Sequence, residues 1–123
     1  MTAQPVRTGP ALHSLAEFQS DAVHALAGTI LRVAGHIDLN PEQRRQIALQ
    51  SGAMLLQAPT GSGKTLMLGR TIERMIGKLP MKCVWFWFAP YSGLVDQTRE
   101  SIGQQCPGIR LRDVATDRIA AGL

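Results

Sequence analysis

The most informative stretch of this sequence is Ala58-Pro59-Thr60-Gly61-Ser62-Gly63-Lys64-Thr65, which we call the glycine loop. It matches the P-loop pattern G-x-x-x-x-G-K-S/T, except that Ala58 stands where the first glycine is usual. Glycines allow successive backbone N–H groups to curl around an anion, because no Cβ stands in the way. Lys64 has the reach to contact β and γ phosphates, and Thr65 offers a hydroxyl to Mg²⁺. The stretch therefore predicts a phosphate-binding loop.

The segments on either side of the glycine loop predict an alternation of strands and helices. Residues 53–57 form a short apolar run typical of a buried strand, and residues 66–76 have the spacing of an amphipathic helix. Residues 82–89 are apolar on both faces, as a central parallel strand would be. A helix over 93–104 and a strand over 109–114 follow. This order predicts an α/β fold with a P-loop NTPase-like parallel sheet. It also predicts that Cys83, Trp85 and Trp87 belong to the core.

The sequence before the glycine loop predicts one or two helices. Ser14 and Glu17 have the spacing of a capping box, and apolar residues follow at steps of three and four. Asn40-Pro41 is typical of a second helix start, with Gly52 just past its end. Residues 1–12 show no periodicity and are interpreted as a flexible lead-in, which leaves 13–123 as one domain.

Composition and charge exclude several classes of protein. The chain has 123 residues, with thirteen Lys and Arg against nine Asp and Glu, a net charge of +4. The basic residues are scattered, which favours a solvated surface over a nucleic-acid patch. Two cysteines do not make a disulfide scaffold. No apolar run approaches the roughly 18–20 residues of a membrane span, and no signal peptide is recognisable. We therefore expect a cytoplasmic protein without a membrane partner.

The glycine loop resembles motif I of superfamily 2 helicases and translocases. Residues 88–98, Phe-Ala-Pro-Tyr-Ser-Gly-Leu-Val-Asp-Gln-Thr, resemble motif Ia of the same proteins, in the version most similar to the helicase subunit of type III restriction enzymes. Upstream, Phe18-Gln19 resembles the aromatic–glutamine pair that precedes motif I in that family. The resemblance covers residues 14–120, in family order, and implies an incomplete RecA-like domain that belongs to the N-terminal part of a DNA motor.

The resemblance implies a role for each matching residue. ATP phosphates would be held by six residues of the loop, namely Thr60, Gly61, Ser62, Gly63, Lys64 and Thr65, with Thr65 also on Mg²⁺. Gln19 would contact the adenine, and a nucleic-acid backbone would lie near Pro90, Tyr91 and Ser92. The residues alone leave two alternatives open: Gln19 as a solvent-facing helix residue, and Tyr91-Ser92 as loop and N-cap. DNA and a modification or specificity subunit are the partners that the family implies.

The sequence lacks the acidic pair that ATP hydrolysis requires. Hydrolysis needs an Asp at the end of a strand to order Mg²⁺ and a neighbouring acid to position water. The chain has no Asp-Glu pair, and Asp113 is the nearest candidate among the acids that follow the loop. We therefore expect nucleotide binding without useful hydrolysis. Two other interpretations remain open, another P-loop kinase or ATPase, and a non-catalytic remnant that keeps the loop without using it.

Overall fold

The computed structural model describes residues 12–113 of the chain, and all of its regular structure there is helical. Four α-helices follow one another, namely α1 (Glu17–Leu39), α2 (Arg44–Ser51), α3 (Lys64–Met75) and α4 (Ser92–Gln105), with a 3₁₀ turn (Pro41–Gln43) before α2. Helix α3 is central, because it packs against both α1 and α4, while α2 packs against α1. Within this range no helix is both long and apolar enough to cross a bilayer.

The predicted parallel sheet is wrong for the described residues. Residues 53–57 and 82–89 contain no strand, and no backbone hydrogen bond joins them. The third predicted strand is also absent as far as residue 113, and its last residue lies outside the described range. The physical reason is that a strand is stabilised by the ladder of hydrogen bonds to a neighbour. These apolar runs have the composition of strands, but nothing in the described chain pairs with them.

The predicted core positions of the second apolar run are wrong for the same reason. We call residues 84–88 the aromatic strip, and all five of its side chains are exposed, with Trp85 at 42% and Trp87 at 36%. The preceding Cys83 is exposed as well. The rings of Phe86 and Phe88 stack on each other, with centroids 6.4 Å apart. Because no strand pairs with this strip and no helix covers it within the described residues, its side chains lie on the surface.

The helices lie close to the predicted segments, except for the first, which differs at both ends because it starts after Ala16 and continues past Gly35 to Leu39. Helix α1 begins at Glu17, with Ala16 rather than Ser14 at the N-cap position. Its first turn is closed by Gln19, whose Oε1 accepts the backbone N–H of Ala16 at 2.9 Å. Gln19 therefore takes the part in a capping box that the sequence predicts for Glu17, while the hydroxyl predicted at Ser14 is replaced by Ala16, whose side chain has no acceptor. Gly52 ends α2 as predicted, where a Cβ would collide with the Ala48 carbonyl oxygen.

The core lies between α3 and its two neighbours. Its least exposed side chains are Met67, Met75 and Cys106, each at 1%. Arg70 of α3 forms hydrogen bonds to two other segments of the chain. Its Nη2 donates to the His13 carbonyl oxygen at 2.9 Å, and its Nε donates to the Gln105 carbonyl oxygen at 3.2 Å. Helix α3, which begins inside the glycine loop, is therefore anchored both to the segment before α1 and to the end of α4.

Helices α3 and α4 approach most closely at Gly69. A Cβ at this glycine would lie 2.8 Å from Cys106 Sγ and 3.6 Å from Ile102 Cγ1. Burial raises the pKa of the Cys106 thiol, and the Glu73 carboxylate raises it further, while Arg70 opposes both. The thiol is therefore neutral near physiological pH and packs as a small apolar group.

We expect Gly69→Ala and Gly28→Ala to change stability in opposite directions. Both glycines lie inside helices, where alanine is favoured by about 1 kcal/mol. At Gly28 nothing lies within 4 Å of the added Cβ, so this gain should appear as higher stability. At Gly69 the Cβ would lie 2.8 Å from Cys106 Sγ, and we expect an overpacking cost toward the upper part of the usual range, about 2–3 kcal/mol, which exceeds the gain. Urea unfolding of both variants measures the difference. Equal stabilisation of the two would contradict the close packing of α3 and α4.

Candidate phosphate-binding site

The glycine loop has the backbone conformation that its sequence predicts. Gly61 and Gly63 have φ values of 82° and 83°, in the left-handed region that side chains with a Cβ rarely adopt. Between them, the Ser62 N–H donates to the Pro59 carbonyl oxygen at 3.1 Å and closes a turn. Gly63 is the N-cap of α3, so Lys64 is the first residue of that helix. Two glycines in this conformation bend the chain back directly before a helix.

The loop presents a set of unused backbone donors. The first intrahelical bond of α3 runs from the Met67 N–H to the Gly63 carbonyl oxygen, at 2.9 Å. The N–H groups of residues 63–66 donate to no acceptor within the described part of the chain. These groups carry the positive end of the helix dipole. An anion with several oxygens is the ligand that such an arrangement favours.

The side chains of the loop add further groups suited to an anion. Lys64 is exposed, and its Nζ bonds to none of the residues described. Thr65 is half-buried, with its hydroxyl likewise unbonded within that range. Ser62 Oγ is buried and has no hydrogen-bond partner in the described structure. A buried hydroxyl without an acceptor is costly to leave in that state, so a ligand oxygen at this point would stabilise the loop.

Gln19 lies against the glycine loop, although it is 43 residues away in the sequence. Its Nε2 donates to the Ser62 carbonyl oxygen at 2.7 Å, while its Oε1 accepts the Ala16 N–H. The structure thus brings Gln19 and the loop together, as the resemblance to the aromatic–glutamine pair leads one to expect. The adenine contact remains a prediction. The contact with Ser62 was not predicted, because nothing in a single sequence indicates which carbonyl a glutamine amide will reach.

Pro90, Tyr91 and Ser92 lie at the start of α4, on an element separate from the loop. Tyr91 is the N-cap of that helix, and its side chain is 63% exposed. Its carbonyl oxygen accepts the N–H groups of Leu94 and Val95. Ser92 is the first helical residue and does not act as a side-chain cap. No hydrogen bond joins this segment to the glycine loop in the described range, and a nucleic-acid contact here remains a prediction.

Asp113, the acid considered for hydrolysis, forms an ion pair with a residue of α4. The Asp113 carboxylate accepts from Arg99 Nη1 at 3.0 Å, and Arg99 Nη2 also contacts Asp96 at 3.1 Å. Asp117, a later acid, lies outside the described residues. Within residues 12–113 no group of three or more His, Cys, Asp or Glu side chains is arranged to hold a metal ion. The contact of Thr65 with Mg²⁺ remains a prediction.

The glycine loop at the start of α3 therefore has the geometry of an anion-binding loop, and its sequence resembles motif I of helicase-like proteins. A comparison with protein-family models gives the particular family. Residues 13–115 match the model described as type III restriction enzyme, res subunit, and the chain belongs to this family. The family predicted from motifs I and Ia is thereby confirmed. Searches of the curated proteins and of the solved structures gave no match.

Proposed function

We propose that this chain binds Mg-ATP through the glycine loop and serves as the nucleotide-binding part of a DNA-dependent motor of the restriction-enzyme type. The observation that carries the proposal is the set of N–H groups at residues 63–66, which, like the Lys64 ammonium beside them, bond to nothing within residues 12–113. Membership of the res subunit family supports the motor assignment. The loop geometry favours an anion with several oxygens, and membership of the family favours a nucleoside triphosphate as the source of that anion.

The residues present fit a bound triphosphate. Gly61 and Gly63 let the backbone approach the phosphate oxygens, and Lys64 supplies a positive charge at the start of α3. The Ser62 hydroxyl is a buried donor without an acceptor, and the Thr65 hydroxyl is a suitable oxygen ligand for Mg²⁺. Bound ATP would supply the phosphoanhydride that drives such motors. The chain's own residues would bind and orient it.

Binding and hydrolysis are separate abilities in this proposal. The loop supplies donors and a positive charge, which suffice for binding. Hydrolysis also needs an acid that orders the metal and an acid that positions water. Among the described residues, Asp113 is engaged with Arg99 of α4. We therefore propose that these residues bind ATP and do not turn it over at a useful rate by themselves.

DNA and a modification or specificity subunit are the partners that we propose from the family. The segment Pro90, Tyr91 and Ser92 is the part of the described surface that we assign to the DNA backbone. Tyr91 supports this assignment, because its ring is exposed at the start of a helix, where backbone N–H groups also favour phosphate.

The experiment that tests the proposal is a calorimetric titration of the full chain with Mg-ATP and, separately, with inorganic tripolyphosphate. Saturable binding of both ligands at one site per chain is the expected result, because the loop contacts phosphate rather than base. Release of phosphate from ATP should not exceed the protein-free blank. If neither ligand binds while circular dichroism shows the helices intact, the loop is a surface turn and the proposal is wrong.

A further inference from the structure

Gln19 uses both ends of its side-chain amide to connect two elements. One end, Oε1, accepts the N–H of Ala16 and closes the first turn of α1. The other end, Nε2, donates to the carbonyl oxygen of Ser62 inside the glycine loop, at 2.7 Å. The side chain therefore spans from the start of α1 to the loop, with a satisfied hydrogen bond at each end.

The contact with Ser62 determines which way the next N–H points. All peptide bonds of the described chain are trans, and in a trans peptide the carbonyl oxygen and the following N–H point in opposite directions. Since the Ser62 carbonyl is held toward Gln19, the Gly63 N–H points away from Gln19 and α1. That N–H is the first of the four free donors at residues 63–66.

The fit between the two elements is close. A Cβ at Gly63 would lie 2.5 Å from Gln19 Nε2, so any larger residue would displace the amide from its present position beside the Ser62 carbonyl. The φ of 83° at Gly63 independently favours a glycine there. The glutamine amide and the loop backbone are therefore in close contact at Ser62 and Gly63.

We propose that Gln19 is a positioning residue for the phosphate loop, acting through the Ser62–Gly63 peptide. It orients the Gly63 N–H for an anion and does so whether or not the ligand carries adenine. This inference rests on the proposed function, since it presupposes that the loop binds triphosphate. A direct contact with adenine would require the Gln19 amide to give up one of its two present hydrogen bonds.

The test compares inorganic tripolyphosphate, which has no base, with Mg-ATP in titrations of two Gln19 variants. Gln19→Glu keeps an acceptor for the Ala16 N–H and adds a negative charge in the first turn of α1, where it is favourable. It loses the donor to Ser62. We expect its thermal midpoint to stay within about 2 °C of the parent, while both affinities fall about three- to tenfold, the effect of one net hydrogen bond.

Two further variants show whether weaker binding comes from the lost hydrogen bond to Ser62 or from the added negative charge. Gln19→Met removes both hydrogen bonds without adding a charge, and it should lower both affinities by a similar factor. Ser20→Glu adds the same charge one residue further on, at an exposed position, and should leave both affinities within about twofold of the parent. If Ser20→Glu weakens binding as much as Gln19→Glu and Gln19→Met does not, charge repulsion explains the loss and the inference is overturned.

The role of Gln19 is decided by comparing the loss of affinity for tripolyphosphate with the loss of affinity for Mg-ATP. Equal losses for tripolyphosphate and ATP support a positioning role. A loss for ATP alone would make Gln19 a reader of the base, and unchanged binding of both would make it a helix cap only; either result overturns the inference. Lys64→Ala is titrated alongside. If Lys64→Ala leaves tripolyphosphate binding unchanged, the proposed function fails, whereas a loss there with no effect at Gln19 refutes the positioning role alone.

Discussion

Replacement of Lys64 by alanine is expected to weaken the binding of Mg-ATP about a hundredfold. Lys64 is the first residue of α3, is exposed, and has no partner within the described residues. Its ammonium is therefore available to two phosphate groups at once. Each hydrogen bond to a charged group contributes about 1.5 kcal/mol or more, and about 1.4 kcal/mol corresponds to a factor of ten in affinity. Calorimetric titration of the variant measures the loss directly.

Lys78→Ala is the matched control for this experiment. Lys78 is also exposed, and it follows the other end of α3, beyond Gly77. Removing its charge changes the net charge of the chain by the same amount, so any general electrostatic effect appears equally in both variants. The control should change affinity by less than about twofold, because exposed charges distant from a ligand are largely screened by salt. Equal losses in the two variants would mean that the loop makes no specific contact.

Replacement of Met67 by alanine is expected to lower the free energy of unfolding by about 2–5 kcal/mol. The side chain is only 1% exposed and lies in the core around α3. Truncation removes buried methylene groups and leaves a cavity that the surrounding helices fill only in part. A domain of this size has roughly 5–15 kcal/mol of stability in total, so the loss is a large fraction of it. Urea unfolding followed by the helical circular-dichroism signal measures the change.

Met54→Ala is the control for the buried methionine. The chemical change is the same, but Met54 is 41% exposed and lies outside the helices. Its truncation should cost less than about 1 kcal/mol, because the side chain is already partly in water. If both variants lose the same stability, the core does not lie around α3 as described.

The parts of the structure that depend on local sequence were predictable. The spacing of apolar residues predicted one or two helices before the loop and two after it, because a helix bonds to itself within four residues. The glycine loop was predictable from its pattern, since Gly61 and Gly63 stand where a phosphate-binding loop needs residues that tolerate a positive φ. Lys64 at the start of α3 follows from the P-loop pattern together with the helix behind it.

The parts that depend on distant segments were not predictable from one chain. The apolar run at residues 84–88 has the composition of a buried strand, but composition cannot show whether a neighbouring strand exists to pair with it. The contact of Gln19 with Ser62 is similar, because it joins two elements 43 residues apart. A pattern indicated that Gln19 belongs near the loop, and only the three-dimensional structure shows which atom it holds.

The exposed aromatic strip also determines which part of the protein is monitored by intrinsic tryptophan fluorescence. The chain has two tryptophans, Trp85 and Trp87, and both lie in the strip rather than in the helical core. Their fluorescence therefore follows the polarity around residues 84–88, while far-ultraviolet dichroism follows the helices. Melting of α1 and α3 would change the dichroism with little effect on the emission maximum. A shift of that maximum to shorter wavelength would instead mark the moment when another surface covers the strip and excludes water from the indole rings.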